Sequence, residues 1–277
     1  MNYLRRLTPS PSAVAIARNH PAQATGVSAL ALVLLVWCVR DYRAFLALGR
    51  GGVPYNPLGW AAITFLIRPF ALSKTAAMRT DDYPATGAHE DVAALPPRTG
   101  SRAQVGGIAP HRQLSQHPPE ELREDIHNLF ANAAAVNPEI LEIKTSGYER
   151  HNDALFVAEK LLQKAQASGL PQTAVIANGE IGHPHPDLSI HLYMSPADAR
   201  VLIEKGWAER HRMSVPEGSL SRNIPIFSRI GDTFLMIYGP RDEGEMAVLG
   251  VILRNSIRFM TRQEDFQDPE WKIRVSK

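Results

Sequence analysis

Three histidines and two carboxylates stand within residues 180–192, which read Glu-Ile-Gly-His-Pro-His-Pro-Asp-Leu-Ser-Ile-His-Leu. His183 and His185 each precede a proline, which disfavours helical backbone and favours an extended one. From residue 188 to 194 apolar and polar residues alternate, which is typical of a half-buried strand. If the extended backbone is continuous, His183, His185 and His191 share one face and meet in one cavity. The prolines leave this parity open, because polyproline backbone repeats every three residues.

The remainder of the chain after residue 119 mixes strands and helices without regular alternation. Helical spacing of apolar residues and helix-capping signals predict helices, and short alternating runs predict strands. The predicted strands are 140–145, 154–157, 188–194 and 233–238, and the predicted helices begin near residues 119, 158, 195 and 240. This order predicts an α+β fold, a single mixed domain with a central, mainly antiparallel sheet and flanking helices.

An apolar run at residues 22–39 precedes this domain and is followed by Arg40, Asp41 and Arg43. Its length is close to the roughly 20 residues that a membrane-spanning helix needs. The run ends in Leu-Val-Trp-Cys-Val-Arg-Asp-Tyr, without the small residues of a signal-peptide cleavage site. We therefore expect a single-pass N-terminal membrane anchor, with a cleaved secretory signal as the alternative. Arginines flank both ends, so the orientation stays open.

The sequence thus predicts four consecutive regions. They are a polar, basic segment at 1–21, the membrane anchor at 22–39, a juxtamembrane and irregular segment at 40–118, and the α+β domain at 119–277. Within the third region, residues 58–72 form a second apolar stretch broken by Arg68 and Pro69. This stretch either lies at the membrane surface or packs on the domain.

Composition excludes several classes of function. The net charge is +2 and no dense cluster of Lys and Arg forms a phosphate-binding track, so we expect no nucleic-acid partner. Cys38 is the one cysteine, which excludes an internal disulfide framework and a cysteine-rich zinc site.

The histidine-rich stretch has three chemical interpretations. As metal ligands, His183, His185 and His191 would supply imidazole nitrogens to zinc or non-haem iron, with Glu180 or Asp187 adding a carboxylate. As acid–base catalysts, they would remove a proton from a substrate while nearby cations stabilise the anion. As structural residues, they would only satisfy polar neighbours. We favour the acid–base interpretation without a metal.

A set of short motifs in a fixed order resembles the fungal luciferase-domain family. The motifs are Glu-Ile-x-His-x-His with Ser-Ile-His-Leu, Lys205 to His211, Phe234 to Arg241, and upstream Arg40 to Leu46, Leu95 to Arg102 and Thr145 to His151. The resemblance covers most of residues 40–261. It implies a membrane-bound oxygenase that adds O2 to a hydroxylated α-pyrone such as 3-hydroxyhispidin, releases carbon dioxide and, in luminous members, leaves an excited product.

Under the acid–base interpretation, with which this chemistry is consistent, we assign hypothetical roles to twelve residues. His183 or His185 is the general base, His191 and Glu180 orient it, and Arg210 and His211 stabilise the anion. Trp207 and Tyr238 line the pocket, and Arg241 is a further cation for the anion. Tyr148, Glu149 and His151 form a second cluster that faces the same cavity. We expect O2 as co-substrate, no cofactor, and a small pyrone or polyketide-like substrate; a non-luminescent lyase, isomerase or hydrolase and a non-catalytic metabolite-binding protein are the alternatives.

Overall fold

The computed structural model describes residues 19–165, 169–273 and 275 and divides the chain into two compact units, which meet between Ala47 and Leu48. The first unit contains helix α1, Pro21–Ala47, which is longer at both ends than the predicted span. By length and apolarity this helix meets the requirements of a membrane anchor, and a signal sequence near the N-terminus meets the same requirements. Most of the predicted basic segment, including Arg5, Arg6 and Arg18, lies outside the described residues.

The second unit is built on a six-stranded antiparallel sheet with strand order β3-β4-β5-β6-β8-β7. The strands are β3 Leu141–Thr145, β4 Asp153–Val157, β5 Glu180–Pro184, β6 Ile190–Tyr193, β7 Ala208–Arg210 and β8 Phe234–Ile237. The predicted α+β class with a mainly antiparallel sheet is therefore confirmed. The four strands predicted from alternation are present, and β5 and β7 join them.

One face of the sheet carries the main hydrophobic core. The helices of this unit are α2 Pro57–Ala61, α3 Glu90–Ala94, α4 Leu122–Val136, α5 Glu159–Ala165, α6 Gln172–Ile176, α7 Pro196–Glu204 and α8 Glu243–Thr261. Leu192 and Leu235 pair across β6 and β8 and belong to the same core cluster as Leu249 and Leu253 of α8. Because side chains alternate along a strand, His191 and Phe234 lie on the opposite face. Helix α5 corresponds to the helix predicted at residues 158–167, of which residues 166 and 167 lie outside the described residues.

The region predicted to be irregular contains ordered elements that cover this second face. Strands β1, Val105–Gly107, and β2, His111–Gln113, form an antiparallel hairpin. Val105 packs with Met236 and Tyr238 of the sheet. A π-helix, Ala62–Ile67, continues α2, with Ile63 and Ile67 buried while Phe65 and Leu66 remain exposed. One side of the second apolar stretch, residues 58–72, thus packs against the rest of this unit.

Capping fixes the start of α7, as the sequence predicts. The side chain of Ser195 accepts a hydrogen bond from the backbone N–H of Asp198 (3.2 Å) and donates one to its carboxylate (2.7 Å). We expect Ser195→Ala to lower the free energy of unfolding by about 1 kcal/mol, because a backbone N–H loses its acceptor. Urea unfolding of both variants measures this, with Ser195→Thr, which keeps the hydroxyl, as the control. Equal losses in the two variants would contradict a capping role.

Candidate functional site

The β5–β6 pairing brings the three predicted histidines together. His183 lies directly opposite His191 in the register, so both side chains extend from the same face. His185 follows on the same side, and its ring centroid is 4.3 Å from that of His191 and 5.1 Å from that of His183. The close strand approach requires glycine at position 182, where a Cβ would lie 2.0 Å from the carbonyl oxygen of His191. The prolines that follow His183 and His185 therefore leave the three histidines on one face, as expected for a continuous extended backbone.

Two further histidines complete a buried cluster. His111 comes from the β1–β2 hairpin and stacks on His191 at 5.5 Å between ring centroids. His211 follows β7, and its centroid is 4.8 Å from those of His111 and His191. All five rings, those of His111, His183, His185, His191 and His211, are buried. Sequence reasoning missed His111, which stands alone in a short segment and carries no local signal.

A chain of hydrogen-bond contacts runs through the cluster. His191 contacts the other rings through both nitrogens, with Nδ1 3.1 Å from His185 Nε2 and Nε2 3.3 Å from His111 Nδ1. His185 Nδ1 lies 2.9 Å from Ser189 Oγ, which donates to Asp187 Oδ2 at 2.9 Å. The carboxylate of Asp187 also accepts the backbone N–H of Gln113 at 2.8 Å. Three imidazoles are thus connected to one carboxylate.

Glu180 orients His183. One of its carboxylate oxygens lies 2.7 Å from His183 Nδ1 and accepts the hydroxyl of Ser146 at 2.7 Å. The other oxygen accepts the backbone N–H of Gly147 at 2.8 Å. With Nδ1 bound to the carboxylate, His183 Nε2 is buried and has no hydrogen-bond partner.

Burial keeps four rings of the cluster uncharged. Desolvation lowers the pKa of His111, His185 and His191 well below the usual range of an imidazole, and lowers the pKa of His211 to about 3. These rings are therefore neutral near pH 7, and each has one N–H donor and one bare nitrogen. A neutral imidazole can accept a proton or bind a metal ion.

The cluster forms part of the wall of a cavity of about 660 Å³. His111, His191, His211 and Glu180 line it on the polar side, and Tyr148 and Phe234 add aromatic surface. Aliphatic side chains, among them Ile108, Met213 and Ile230, complete the wall. This volume and this mixture of apolar surface with a few polar groups are typical of small-molecule sites.

Some predicted site residues lie at the cavity and others lie behind its wall. Tyr148 and Glu149 line the cavity, as predicted for the second cluster. The hydroxyl of Tyr148 is 2.8 Å from that of Tyr193, and Glu149 forms a buried ion pair with Arg112. His183 and His185 are not among the lining residues, so neither contacts a cavity-bound substrate directly. His185 contacts the lining residue His191, whereas Nε2 of His183 has no hydrogen-bond partner.

Five predicted residues lie away from the cavity. Arg210 forms an ion pair with Asp82, Trp207 donates its indole N–H to the carbonyl of Pro96, and Tyr238 donates its hydroxyl to Glu209. Arg241 pairs with Glu245, and His151 is exposed and does not line the cavity. The prediction that these five residues contact the substrate is therefore wrong, because none of them lines the cavity. Trp207 is instead a core side chain, buried in the main core cluster.

Comparison with known proteins agrees with the motif pattern. Residues 178–256, which include β5, β6 and most of α8, match the model of the luciferase domain. The chain is 25% identical over 249 residues to a luciferase of Armillaria gallica, covering 88% of this chain and 89% of that protein. It is 27% identical over 239 residues to a luciferase of Neonothopanus nambi, covering 84% and 83%. No solved structure gives a significant match. The domain match and the coverage of these relatives together place the chain in the fungal luciferase-domain family.

Proposed function

We propose that the protein is an oxygenase that adds O2 to an electron-rich hydroxylated α-pyrone, with release of carbon dioxide. The observation that carries the proposal is the cavity itself, in which neutral imidazoles of His111, His191 and His211 stand beside the aromatic surface of Tyr148 and Phe234. A flat, hydroxylated ring packs against aromatic side chains and presents its acidic hydroxyl to the imidazoles. The curated relatives named luciferase support the same class of reaction.

The chemistry follows from the acidity of such a substrate. An enolic hydroxyl gives its proton to the histidine cluster through His191, which lines the cavity and contacts both His185 and His111. The enolate is electron-rich, and it reduces O2 by forming a carbon–oxygen bond to give a peroxide. Both atoms of O2 enter the peroxide and the electrons come from the substrate, so no flavin, haem or external reductant is needed. Loss of carbon dioxide from the peroxide completes the reaction.

The protein's location is part of the proposal. We propose that α1 is a single-pass anchor, because this 27-residue helix carries its apolar side chains exposed and its mean hydropathy is 2.0 over 18 residues. The anchor would hold the site at a membrane, such as that of the endoplasmic reticulum, where an apolar secondary metabolite accumulates.

Oxygen uptake tests the reaction. We expect the full chain, solubilised in detergent, to consume O2 and release carbon dioxide when 3-hydroxyhispidin is added, and to do neither with a methyl ether of the 3-hydroxyl, which has no enolic proton to lose. An oxygen electrode and a photon counter would record both events together. Uptake with light would identify a luminous enzyme, and uptake without light would identify an oxygenase whose product is not excited.

Two other outcomes distinguish the alternatives. Turnover of the pyrone without O2 uptake would replace the oxygenase with a lyase, an isomerase or a hydrolase. Tight binding without turnover, measured by quenching of tryptophan fluorescence, would favour a metabolite-binding protein. Either result contradicts the proposed oxygenase.

A further inference from the structure

Three carboxylates that form no ion pair with a Lys or Arg of the described residues surround the histidine cluster. Glu180, Asp187 and Glu209 each lie within 4 Å of an imidazole nitrogen, belonging to His183, His185 and His111. In residues 19–165 and 169–273, no Lys or Arg forms an ion pair with any of the three at this distance. Buried carboxylates normally have a cationic partner, because an unpaired buried charge is costly.

The positions of the hydrogens can be assigned from the carboxylate ends. The hydroxyl of Ser189 donates to Asp187, so its oxygen accepts from Nδ1–H of His185, and Nε2 of His185 is bare. Nδ1–H of His183 donates to Glu180, so Nε2 of His183 is also bare. Two bare nitrogens of neighbouring imidazoles therefore point to one region of the buried cluster.

His191 completes the set in one of its two neutral forms. If Nε2 of His191 carries the hydrogen, it donates to Nδ1 of His111, and Nε2–H of His111 then faces Oε1 of Glu209 at 3.9 Å. In this form Nδ1 of His191 is the third bare nitrogen, 3.1 Å from Nε2 of His185. Two nitrogen ligands about 2.1 Å from a common metal ion are separated by about 3.0–3.4 Å, which matches this distance.

We propose that His183, His185 and His191 bind one divalent first-row transition-metal ion, through Nε2, Nε2 and Nδ1 respectively. One ligand atom from each of these residues lies within 4.8 Å of the others. The ion gives a partner to Nε2 of His183, which is buried and otherwise has no hydrogen-bond partner. Three imidazoles with positions left for further ligands are typical of catalytic zinc and non-haem iron sites.

The outer partners have the pattern of a metal site. A metal-binding imidazole usually donates its other N–H to a carboxylate, directly or through a neighbour. Here Glu180 accepts from His183 directly, and Asp187 accepts from Ser189, which in turn accepts from His185. Glu209 lies 3.9 Å from His111, the ring that contacts His191, and so contributes its charge rather than a hydrogen bond. The ion would thereby place a positive charge near three carboxylates that form no ion pair with a Lys or Arg within 4 Å in the described residues.

A second group of histidines fits an ion less well. His111, His191 and His211 also offer ligand atoms within 4.8 Å of one another. However, Nδ1 of His211 accepts the backbone N–H of Met213 at 3.1 Å, so in the neutral ring Nε2 carries the hydrogen and faces the carbonyl of Ile108. That group would also leave Nε2 of His183 without a partner.

The metal site itself is argued from geometry alone. Only its role in catalysis rests on the proposed function, which it deepens. His191 lies between the other two ligands and the cavity. With both of its nitrogens then occupied, His191 would not accept the enolic proton itself, and the charge of the ion would instead stabilise the substrate enolate at the cavity wall. This proposal adopts the metal alternative, ligation by His183, His185 and His191, in place of the metal-free site that the sequence favours.

Metal titration of the full chain tests the site without reference to turnover. Detergent-solubilised protein is stripped with a chelator and titrated with Co2+, whose visible absorption reports the ligand set. We expect one ion per chain for the unmodified protein and for His151→Ala, which removes an exposed imidazole. Glu180→Gln should weaken binding by about 10–100-fold, because His183 loses its carboxylate partner. His183→Ala should weaken it more than Glu180→Gln.

The outcomes separate the site from the proposed reaction. Absence of saturable Co2+ binding, or equal affinity in the unmodified protein, Glu180→Gln and His151→Ala, overturns the metal site. If His183→Ala does not fold, Glu180→Gln decides, because it preserves side-chain volume. Co2+ binding as expected without O2 uptake would leave the metal site standing and contradict the oxygenase. If protein from which the metal has been removed still consumes O2, the ion has only a structural role.

Discussion

Replacement of His191 with alanine is expected to lower turnover by about 10²–10⁴-fold, the usual range for loss of a positioned proton-transfer group. His191 lines the cavity and contacts His185 and His111 through its two ring nitrogens. No other ring of the cluster both lines the cavity and contacts these two histidines. Alanine at this position therefore removes the hydrogen-bond contact between the cavity wall and His185. The initial rate of O2 uptake with 3-hydroxyhispidin measures the effect.

His151→Ala is the matched control for this experiment. His151 belongs to the same predicted set of site residues, but it is exposed and does not line the cavity. We expect its replacement to leave the rate within about twofold, as for a surface change that removes no contact. A loss of activity in His151→Ala equal to that in His191→Ala would show that the cavity is not the reaction site. Circular dichroism of both variants would exclude unfolding as the cause.

The sequence predicts the parts of the site that arise from local pattern. His183 and His191 were expected on one face because strand side chains alternate, and the register pairs them directly. Helix α8 follows from its apolar spacing and from Asp242, which caps its first turn by accepting the N–H of Glu245 at 2.8 Å. Such features depend on a few neighbouring residues, so one sequence is enough to find them.

The parts that the sequence does not predict depend on distant contacts. His111 reaches the cluster because a hairpin 80 residues upstream covers the sheet, and no periodicity marks it. Arg210 and His211 are neighbours in sequence, yet Arg210 pairs with Leu235 in the register and shares the face of the main core. The alternation of a short strand therefore sends two adjacent candidates to opposite sides of the sheet, and the sequence alone does not say which side carries the cavity.

This placement leads to the second large prediction, a structural role for Arg210. Its guanidinium makes two-pronged contacts with the carboxylate of Asp82 at 2.9–3.0 Å and lies 4.0 Å above the ring of Tyr83. Loss of one partner of a buried ion pair costs about 3–5 kcal/mol, but Asp82 is 31% exposed and recovers part of its hydration. We therefore expect Arg210→Met to lower the free energy of unfolding by about 2–4 kcal/mol.

Arg241→Met separates this effect from the general loss of an arginine. Arg241 is 29% exposed, and its partner Glu245 keeps Arg98 at 3.2 Å and a backbone N–H at 2.9 Å. Because Arg241 is partly exposed and Glu245 keeps a second cationic partner, the pair contributes about 1 kcal/mol, and urea unfolding should show a much smaller loss. The folded fraction of Arg210→Met should turn over at the unmodified rate, because Arg210 faces away from the cavity. Unchanged stability with lost turnover would instead return Arg210 to the anion-stabilising role of the acid–base interpretation.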